Sequence, residues 1–281
     1  MPGAPLRADQ DRDALIRIAR ADGLESQLSI DLDHAEFKLG WENVVLDTPD
    51  GWIVRFPRDD DVPFELELQL LSRLHDRLPA RIPAVVRTGR LTKYAVYRRL
   101  DGSSLDVDGF EAADPINRDR VTAPFGRFLA AMHQALSAEE ITELGVPTAD
   151  RFGDESVAEQ LPTSVRPRYQ QVRALVADRL ANHSTPPVLL HNDFHLGNLV
   201  LDAPLGRLTG VWDFSCVAIG DPSVDFRYLL GDSRELAARI ASSYAARTGR
   251  EIDLGLAAAV LTLEEVSDAL EEGRDPVPYL T

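Results

Sequence analysis

The chain has 281 residues, 44% of them hydrophobic, with 46 acidic against 30 basic side chains and a net charge of −16. That length buries a substantial core, the acidic balance argues against a nucleic-acid binder built on a basic stripe, and a single cysteine, Cys216, excludes an intramolecular disulfide and suits a cytoplasmic protein. No apolar run approaches the roughly 18 residues of a membrane span, residues 1–10 lack the apolar core of a signal peptide, and no Cys/His cluster has zinc spacing.

Residues 11–22 read as a short amphipathic helix with Leu15, Ile16, Ile18 and Ala19 apolar. Ala35–Leu39 alternates like a strand, Gly40-Trp41-Glu42-Asn43 breaks it, and Val44–Leu46 resumes. Pro49-Asp50-Gly51 turns the chain into Trp52–Phe56 as a hairpin partner. Alternation puts Ile53 and Arg55 on one face of that strand and Trp52, Val54 and Phe56 on the other. A helix is expected over Pro63–Leu78, with Pro63 in its first turn and Pro79 closing it. Ile82–Val86 and Tyr94–Tyr97 read as two further strands. Val121–Leu136 carries Phe125, Phe128, Leu129 and Met132 on one stripe, which predicts a core helix with His133 as a packed helix residue. Prolines interrupt residues 137–187, with a helix expected at about 167–183. Near the end, Glu264, Asp268 and Glu271 recur at helical spacing, either as a solvated face or as an anionic wall for ammonium groups. The net charge has the same two readings, solubility or attraction of cationic small molecules.

The most informative stretch is His191-Asn192-Asp193-Phe194-His195-Leu196-Gly197-Asn198, followed by Val211-Trp212-Asp213-Phe214. Val188–Leu190 runs into it as an apolar strand. Leu199–Leu201 and Leu208–Trp212 flank a turn at Asp202–Gly206, so a hairpin brings Asn198 and Asp213 to one end. Asp and Asn favour turns for local reasons, but this grouping is also what phosphoryl transfer from a nucleotide requires. One Asp takes the proton of the attacking hydroxyl, while an Asn and a second Asp hold magnesium against the phosphates. The Asn-Asp between His191 and His195 argues against a helical metal-binding pair. No Gly-x4-Gly-Lys-Ser/Thr occurs, which excludes a P-loop enzyme.

His-x-Asp-x4-Asn, a strand ending in Asp, and then Gly220-Asp221-Pro222-Ser223-Val224-Asp225 resemble the aminoglycoside phosphotransferase family of the kinase-like fold. The pattern is most similar to the branch acting on the 2''-hydroxyl, with macrolide and tuberactinomycin kinases as near relatives. The resemblance spans roughly residues 35 to 275. It implies an α+β, bilobal protein-kinase-like fold, with a small β-rich N-lobe (1–97) that binds nucleotide and a larger helical C-lobe (98–281) that carries the chemistry.

By that resemblance, Asp193 is the catalytic base, Asn198 and Asp213 bind Mg2+, and His191 and Asp225 brace the catalytic loop. Arg55 grips the phosphates of ATP or GTP, positioned by Glu67 in preference to Glu65. Asn43 lies in the loop over the phosphates, Ile53 lies beneath the base, and the backbone of Arg98 and Leu100 faces the base edge. Tyr97 either borders that pocket or packs in the sheet. Glu264, Asp268 and Glu271 would bind the acceptor. The chain departs from the family at Arg55, where Lys is usual and a forked cation is not a neutral exchange, at Asn192, where many relatives have Gly, and at Ser215, where kinases have the Gly of Asp-Phe-Gly. The implied activity is transfer of a γ-phosphate to a hydroxyl of a cationic antibiotic, foremost an aminoglycoside. The alternatives are a macrolide or tuberactinomycin kinase, a small-metabolite kinase, or a nucleotide-binding pseudoenzyme. Retention of Asp193 argues against the last, because a binding module has no use for a base.

Overall fold

The computed structural model describes residues 11–40, 42–59, 62–149, 152–182 and 186–281. The apolar-core reading of residues 1–10 and the Trp41 position of the phosphate loop lie outside the described residues. The chain forms two compact units: a smaller one of the described part of Gly3–Asp76 with Arg81–Asp101, and a larger one of Arg77–Ala80 with Gly102–Thr281.

The smaller unit contains α1 (Arg12–Ala21), α2 (Leu24–Leu28), β1 (Glu36–Leu39), β2 (Asn43–Asp47), β3 (Trp52–Pro57), α3 (Phe64–Leu74), β4 (Arg87–Thr88) and β5 (Ala95–Arg98). The strands form one antiparallel sheet in the order β1-β2-β3-β5-β4. Asp11 caps α1 by accepting from the Ala14 amide. The buried stripe of α1, Leu15, Ile16 and Ala19, packs with Val44, Leu46, Trp52, Val54 and Phe56. On the other face of the sheet, Phe64 of α3 joins Ala95, Tyr97 and Ile53. The expected alternation along β3 therefore holds, and Tyr97 belongs to this core. Both faces are covered, which is why even the charged Arg55 is buried.

Two expectations shift, and one element was not expected. The strand expected at Ile82–Val86 is a two-residue pairing at Arg87–Thr88 instead, since Pro83 has no amide to offer a ladder. The helix expected to reach Leu78 ends at Leu74. α2 had no periodic signal because it is a single turn of five residues between left-handed Gly23 and Ser29.

The larger unit contains α4 (Val107–Ala112), α5 (Pro115–Met132), α6 (Ala138–Leu144), α7 (Glu155–Gln160), α8 (Arg166–Asn182), β6 (Val188–Leu190), β7 (Leu199–Leu201), β8 (Leu208–Val211), β9 (Ala218–Gly220), α9 (Arg227–Asp232), α10 (Arg234–Thr248) and α11 (Leu254–Glu271). α5 starts before the expected Val121 because Asp114 caps it and Pro115 occupies its first turn. It packs on α10, where a Cβ at Gly126 would meet the Ser243 Cβ at 2.7 Å, so only glycine permits the approach. Tyr169, Val172 and Val176 of α8 interlock with Leu256, Val260 and Leu263 of α11. Two short antiparallel ribbons, β6–β9 and β7–β8, carry the loops of interest.

Candidate active site

β6 delivers the chain into His191, whose ring is fully buried between Phe214, at 4.7 Å between centroids, and Phe194, at 5.8 Å. Its Nε2–H donates to the Trp212 carbonyl at 3.2 Å, which fixes the neutral tautomer. Burial holds its pKa below the ordinary value. Asn192 then takes a left-handed conformation, φ 62°. Asn tolerates that region better than most residues, which accounts for Asn where many relatives of similar pattern have Gly.

The Gly-Asp-Pro-x-x-Asp run explains itself locally. A Cβ on Gly220 would come within 2.8 Å of Leu190. Asp221 caps a 3-10 turn over Pro222–Phe226 by accepting from the Ser223 amide at 2.8 Å, and Pro222 suits that first turn. One turn later Asp225 is buried, and its carboxylate accepts from the amides of His191 at 2.9 Å and Asn192 at 2.7 Å. His133 Nε2 contacts the same carboxylate at 3.0 Å, and its Nδ1 lies 3.0 Å from the Tyr244 hydroxyl. Burial alone would push the Asp225 carboxyl up; the bond and charge of His133 outweigh it, and the group is held below the usual carboxylate range.

Asp193 follows. Its Oδ2 accepts from Asn198 Nδ2 at 2.8 Å, and the same nitrogen donates to the Asp193 carbonyl at 3.0 Å. The Asn198 amide nitrogen is thus committed to Asp193, leaving Oδ1 as its oxygen donor for a cation. His195 Nε2 stands 3.5 Å from Asp193 Oδ2, while its Nδ1 accepts from the Gly197 amide. Burial pushes the Asp193 carboxyl up, but the His195 hydrogen bond and charge outweigh it, so the carboxylate is held low and ionised at neutral pH. Asp193 in turn raises the His195 pKa.

The β7–β8 hairpin pairs Leu199 with Val211, and the Trp212 amide donates to the Asn198 carbonyl at 3.1 Å. Asn198 and Asp213 therefore flank the same end of one hairpin, as the strand–turn–strand pattern predicts. Asp213 is left-handed, φ 63°, and its Oδ1 accepts from Ser215 Oγ at 2.8 Å. Ser215 thus gives the carboxylate a hydroxyl donor that a glycine lacks. An amide oxygen and a carboxylate oxygen suit magnesium, which keeps several waters and takes only one or two protein ligands beside substrate phosphates. Among the described residues no cluster of three His, Cys, Asp or Glu side chains has metal-binding geometry.

In the smaller unit, Arg55 Nη2 pairs with Glu67 Oε2, and both side chains are buried. The pairing is with Glu67 rather than Glu65, which is exposed. Asn43 is buried with no hydrogen-bond partner for Oδ1 among the described residues, and its carbonyl accepts from the Gly40 amide at 2.9 Å. Ile53 packs on the α3 face of the sheet. Arg98 ends β5 with its guanidinium 3.7 Å from the Trp52 ring centroid, and Leu100 follows, half-buried.

The three acidic residues expected at the acceptor do not act as one group. Glu264 is tied to Arg227 Nε. Glu264 and Asp268 line a cavity of about 310 Å³ with Thr148, Phe152 and Asn192, next to Asp193 in the chain. Glu271 lines a larger neighbouring cavity of about 1280 Å³ with Phe152, Val157, Leu180 and Leu270. Burial raises the pKa of Glu264 against the opposing charge of Arg227, and burial with Glu265, Glu271 and Glu272 raises that of Asp268. Sequence reasoning missed Arg227, Ser215 and His195 as members of this site. His195 and Ser215 carried a local signal, each two residues from an expected site aspartate, Asp193 and Asp213.

Among the described residues no helix is long and apolar enough to cross a membrane. The profile of the phosphotransferase enzyme family (APH) matches residues 33–260. The structure is similar to that of the GDP and kanamycin complex of APH(2")-IIia, with TM-score 0.74 and 22% identity over 93% of this chain and 94% of that one. It is also similar to ADP-bound aminoglycoside phosphotransferase APH(2'')-Ib, with TM-score 0.64 and 19% identity over 96% and 97%. Macrolide 2'-phosphotransferase MphH from Brachybacterium faecium matches with TM-score 0.63 and 22% identity over 96% and 98%. No curated protein matched the sequence. The structural similarities give the kinase-like α+β fold, and the profile covers most of the chain, which belongs to the phosphotransferase enzyme family.

Proposed function

We propose that this protein is a magnesium-dependent antibiotic kinase of the cytoplasm that moves the γ-phosphate of ATP or GTP to a hydroxyl of an aminoglycoside. The observation that carries this reading is the arrangement around Asn198. One side chain touches Asp193 through Nδ2, and its backbone holds the end of the strand that presents Asp213. Asp193, ionised, orients the acceptor hydroxyl and takes its proton. Asn198 and Asp213 would hold the magnesium, which neutralises charge on the transferring phosphate. The smaller unit binds the nucleotide, with Arg55 fixed by Glu67 for the phosphates, Asn43 beside them, and Ile53 and the Arg98–Leu100 backbone at the base. The larger unit carries the chemistry. His191 and Asp225 hold the catalytic loop in place, and the acceptor occupies the cavity walled by Glu264 and Asp268, with Glu271 beyond it. Most of the rate enhancement is positioning and electrostatic.

A second reading, a macrolide kinase, is supported by the adjoining cavity of about 1280 Å³, where Phe152, Val157, Leu180 and Leu270 form an apolar strip beside polar Glu155 and Arg173.

The test is incubation with magnesium, ATP or GTP, and a panel of kanamycin, gentamicin, a tuberactinomycin peptide and erythromycin, read as a gain of roughly 80 Da. Kanamycin or gentamicin should gain phosphate, and Asp193→Asn should cut turnover by about 10²–10⁴-fold with nucleotide affinity retained. Phosphorylation of erythromycin alone selects the second reading. No transfer to any acceptor, or near-normal turnover by Asp193→Asn, overturns the proposal.

A further inference from the structure

Arg227 is nearly inaccessible, and it joins its own turn to α11 and to the segment that precedes Asp193. Its Nε donates to Glu264 on α11. Nη1 donates to the Val224 carbonyl at 3.1 Å. Nη2 donates to the Asn192 carbonyl at 2.7 Å and to the Tyr228 hydroxyl at 3.2 Å, and the guanidinium lies 4.2 Å from the Tyr228 ring centroid.

Two of these contacts bear on the site. The Asn192 carbonyl belongs to the peptide that leads into Asp193, and the Asn192 amide is already held by Asp225. Asn192, in its left-handed conformation, is therefore pinned at both ends by residues two apart in the chain, Asp225 and Arg227. The other end of Arg227 covers one of the two carboxylates of the 310 Å³ cavity. Among the described residues Asp268 makes no salt bridge, so it is the carboxylate of that wall left to meet a cation.

We propose that Arg227 is a positioning and specificity-determining residue: it clamps the peptide that carries Asp193 to α11 and, by pairing with Glu264, sets how much negative charge the acceptor pocket presents. The inference rests on the acceptor site proposed above. It separates two effects of one side chain. The fork to Asn192 governs turnover, because a small misplacement of the base costs up to about 10²-fold. The charge on Glu264 governs affinity for cationic acceptors. Lysine retains the charge and loses the fork.

The test compares Arg227→Met, Arg227→Lys and Glu264→Gln in steady-state kinetics with kanamycin, rich in amines, and erythromycin, with one. Calorimetric binding of kanamycin and thermal stabilisation by nucleotide serve as affinity and folding readouts. Arg227→Met should lower kcat by about 10–100-fold while binding kanamycin more tightly, since Glu264 is released. Arg227→Lys should show the low kcat with kanamycin affinity near wild type. Glu264→Gln should weaken kanamycin by about tenfold or more, with little change for erythromycin, since the Arg227 charge is then uncovered. Should Arg227→Met fail to fold, Glu264→Gln and Arg227→Lys still decide the matter through the contrast between the two probes. Losses equal for both probes and spread equally over kcat and KM would show a merely structural residue and overturn the inference while leaving the acceptor site standing. Wild-type protein that neither binds nor phosphorylates either probe defeats the acceptor site, and the inference falls with it.

Discussion

His133 and Asp225 meet 3.0 Å apart, Nε2 to Oδ2, with both side chains fully buried. The same carboxylate holds the amides of His191 and Asn192, so helix α5 is connected through one side chain to the loop that presents Asp193. The Tyr244 hydroxyl completes the chain from α10, its pKa raised by burial to about 12.

Replacing His133 by Phe keeps the ring volume but removes a partner from a buried carboxylate. The expected cost is about 3 kcal/mol, because the buried carboxylate keeps its amide donors but loses the imidazole that pairs with it. Adding Asp225→Asn should recover part of that loss, giving a coupling energy in a double-mutant cycle of urea unfolding. Equal and additive effects of the two changes would mean that the pair contributes nothing specific.

Asp213→Ala removes the carboxylate at the end of β8 and leaves Asn198 in place. Because that carboxylate is the hard oxygen ligand suited to magnesium, thermal stabilisation by nucleotide plus magnesium should shrink toward that of nucleotide alone. Ser215→Gly should give a smaller change in the same direction, since it removes the hydroxyl that orients Asp213. An Asp213→Ala protein stabilised as strongly as wild type would remove the residue from the metal site.

Much of this site was legible because its parts are local. Asp193 and Asn198 share one loop, a short hairpin returns Asp213 to Asn198, and alternation along β3 put Arg55 on the face that meets α3. Asp225 stood out through a motif six residues long. His133, Tyr244 and Arg227 were not legible as site residues, because their partners lie 92, 111 and 35 positions away. Nothing in local periodicity distinguishes a helix histidine that meets a buried carboxylate from one that packs. The pairing within the acidic face of α11 was hidden for the same reason: spacing grouped Glu264 with Asp268 and Glu271, while the fold gave Glu264 a cation of its own. β9 was missed because three residues carry too little pattern to read.

Acid should destabilise the fold through His191. Its folded pKa is depressed by burial below the ordinary 6.5, so the unfolded chain takes up a proton first as pH falls. The stability tied to the neutral ring is fully present above about pH 6.5 and is lost progressively below it, by up to about 1.4 kcal/mol per pH unit for one proton. Asp225, also depressed, acts in the same direction at lower pH, through the carboxylate range. His195 opposes them: its pKa is raised, so its contribution is present below 6.5 and fades as pH rises. The difference in unfolding free energy between wild type and His191→Phe, followed from about pH 8 to about pH 5, isolates the first contribution. Wild type should lose ground to the variant on acidification; a constant difference would mean that His191 is not held neutral.

Salt should separate the acceptor classes. Asp268 faces the smaller cavity and Glu271 the larger, and with the −16 net charge they favour a ligand rich in ammonium groups. Such attraction acts between partly exposed charges and is screened over about 8–10 Å at physiological ionic strength. KM for kanamycin should therefore climb several-fold from low to high salt, while kcat, set inside the catalytic loop, stays nearly constant. Erythromycin, with one amine, should show a much shallower rise, because its binding would rest on the apolar lining of the larger cavity. Asp268→Asn should flatten the kanamycin dependence and leave that of erythromycin unchanged. If kanamycin is phosphorylated with a KM indifferent to salt, the carboxylates of α11 are a solvated helix face and recognition of the acceptor lies elsewhere in the larger unit.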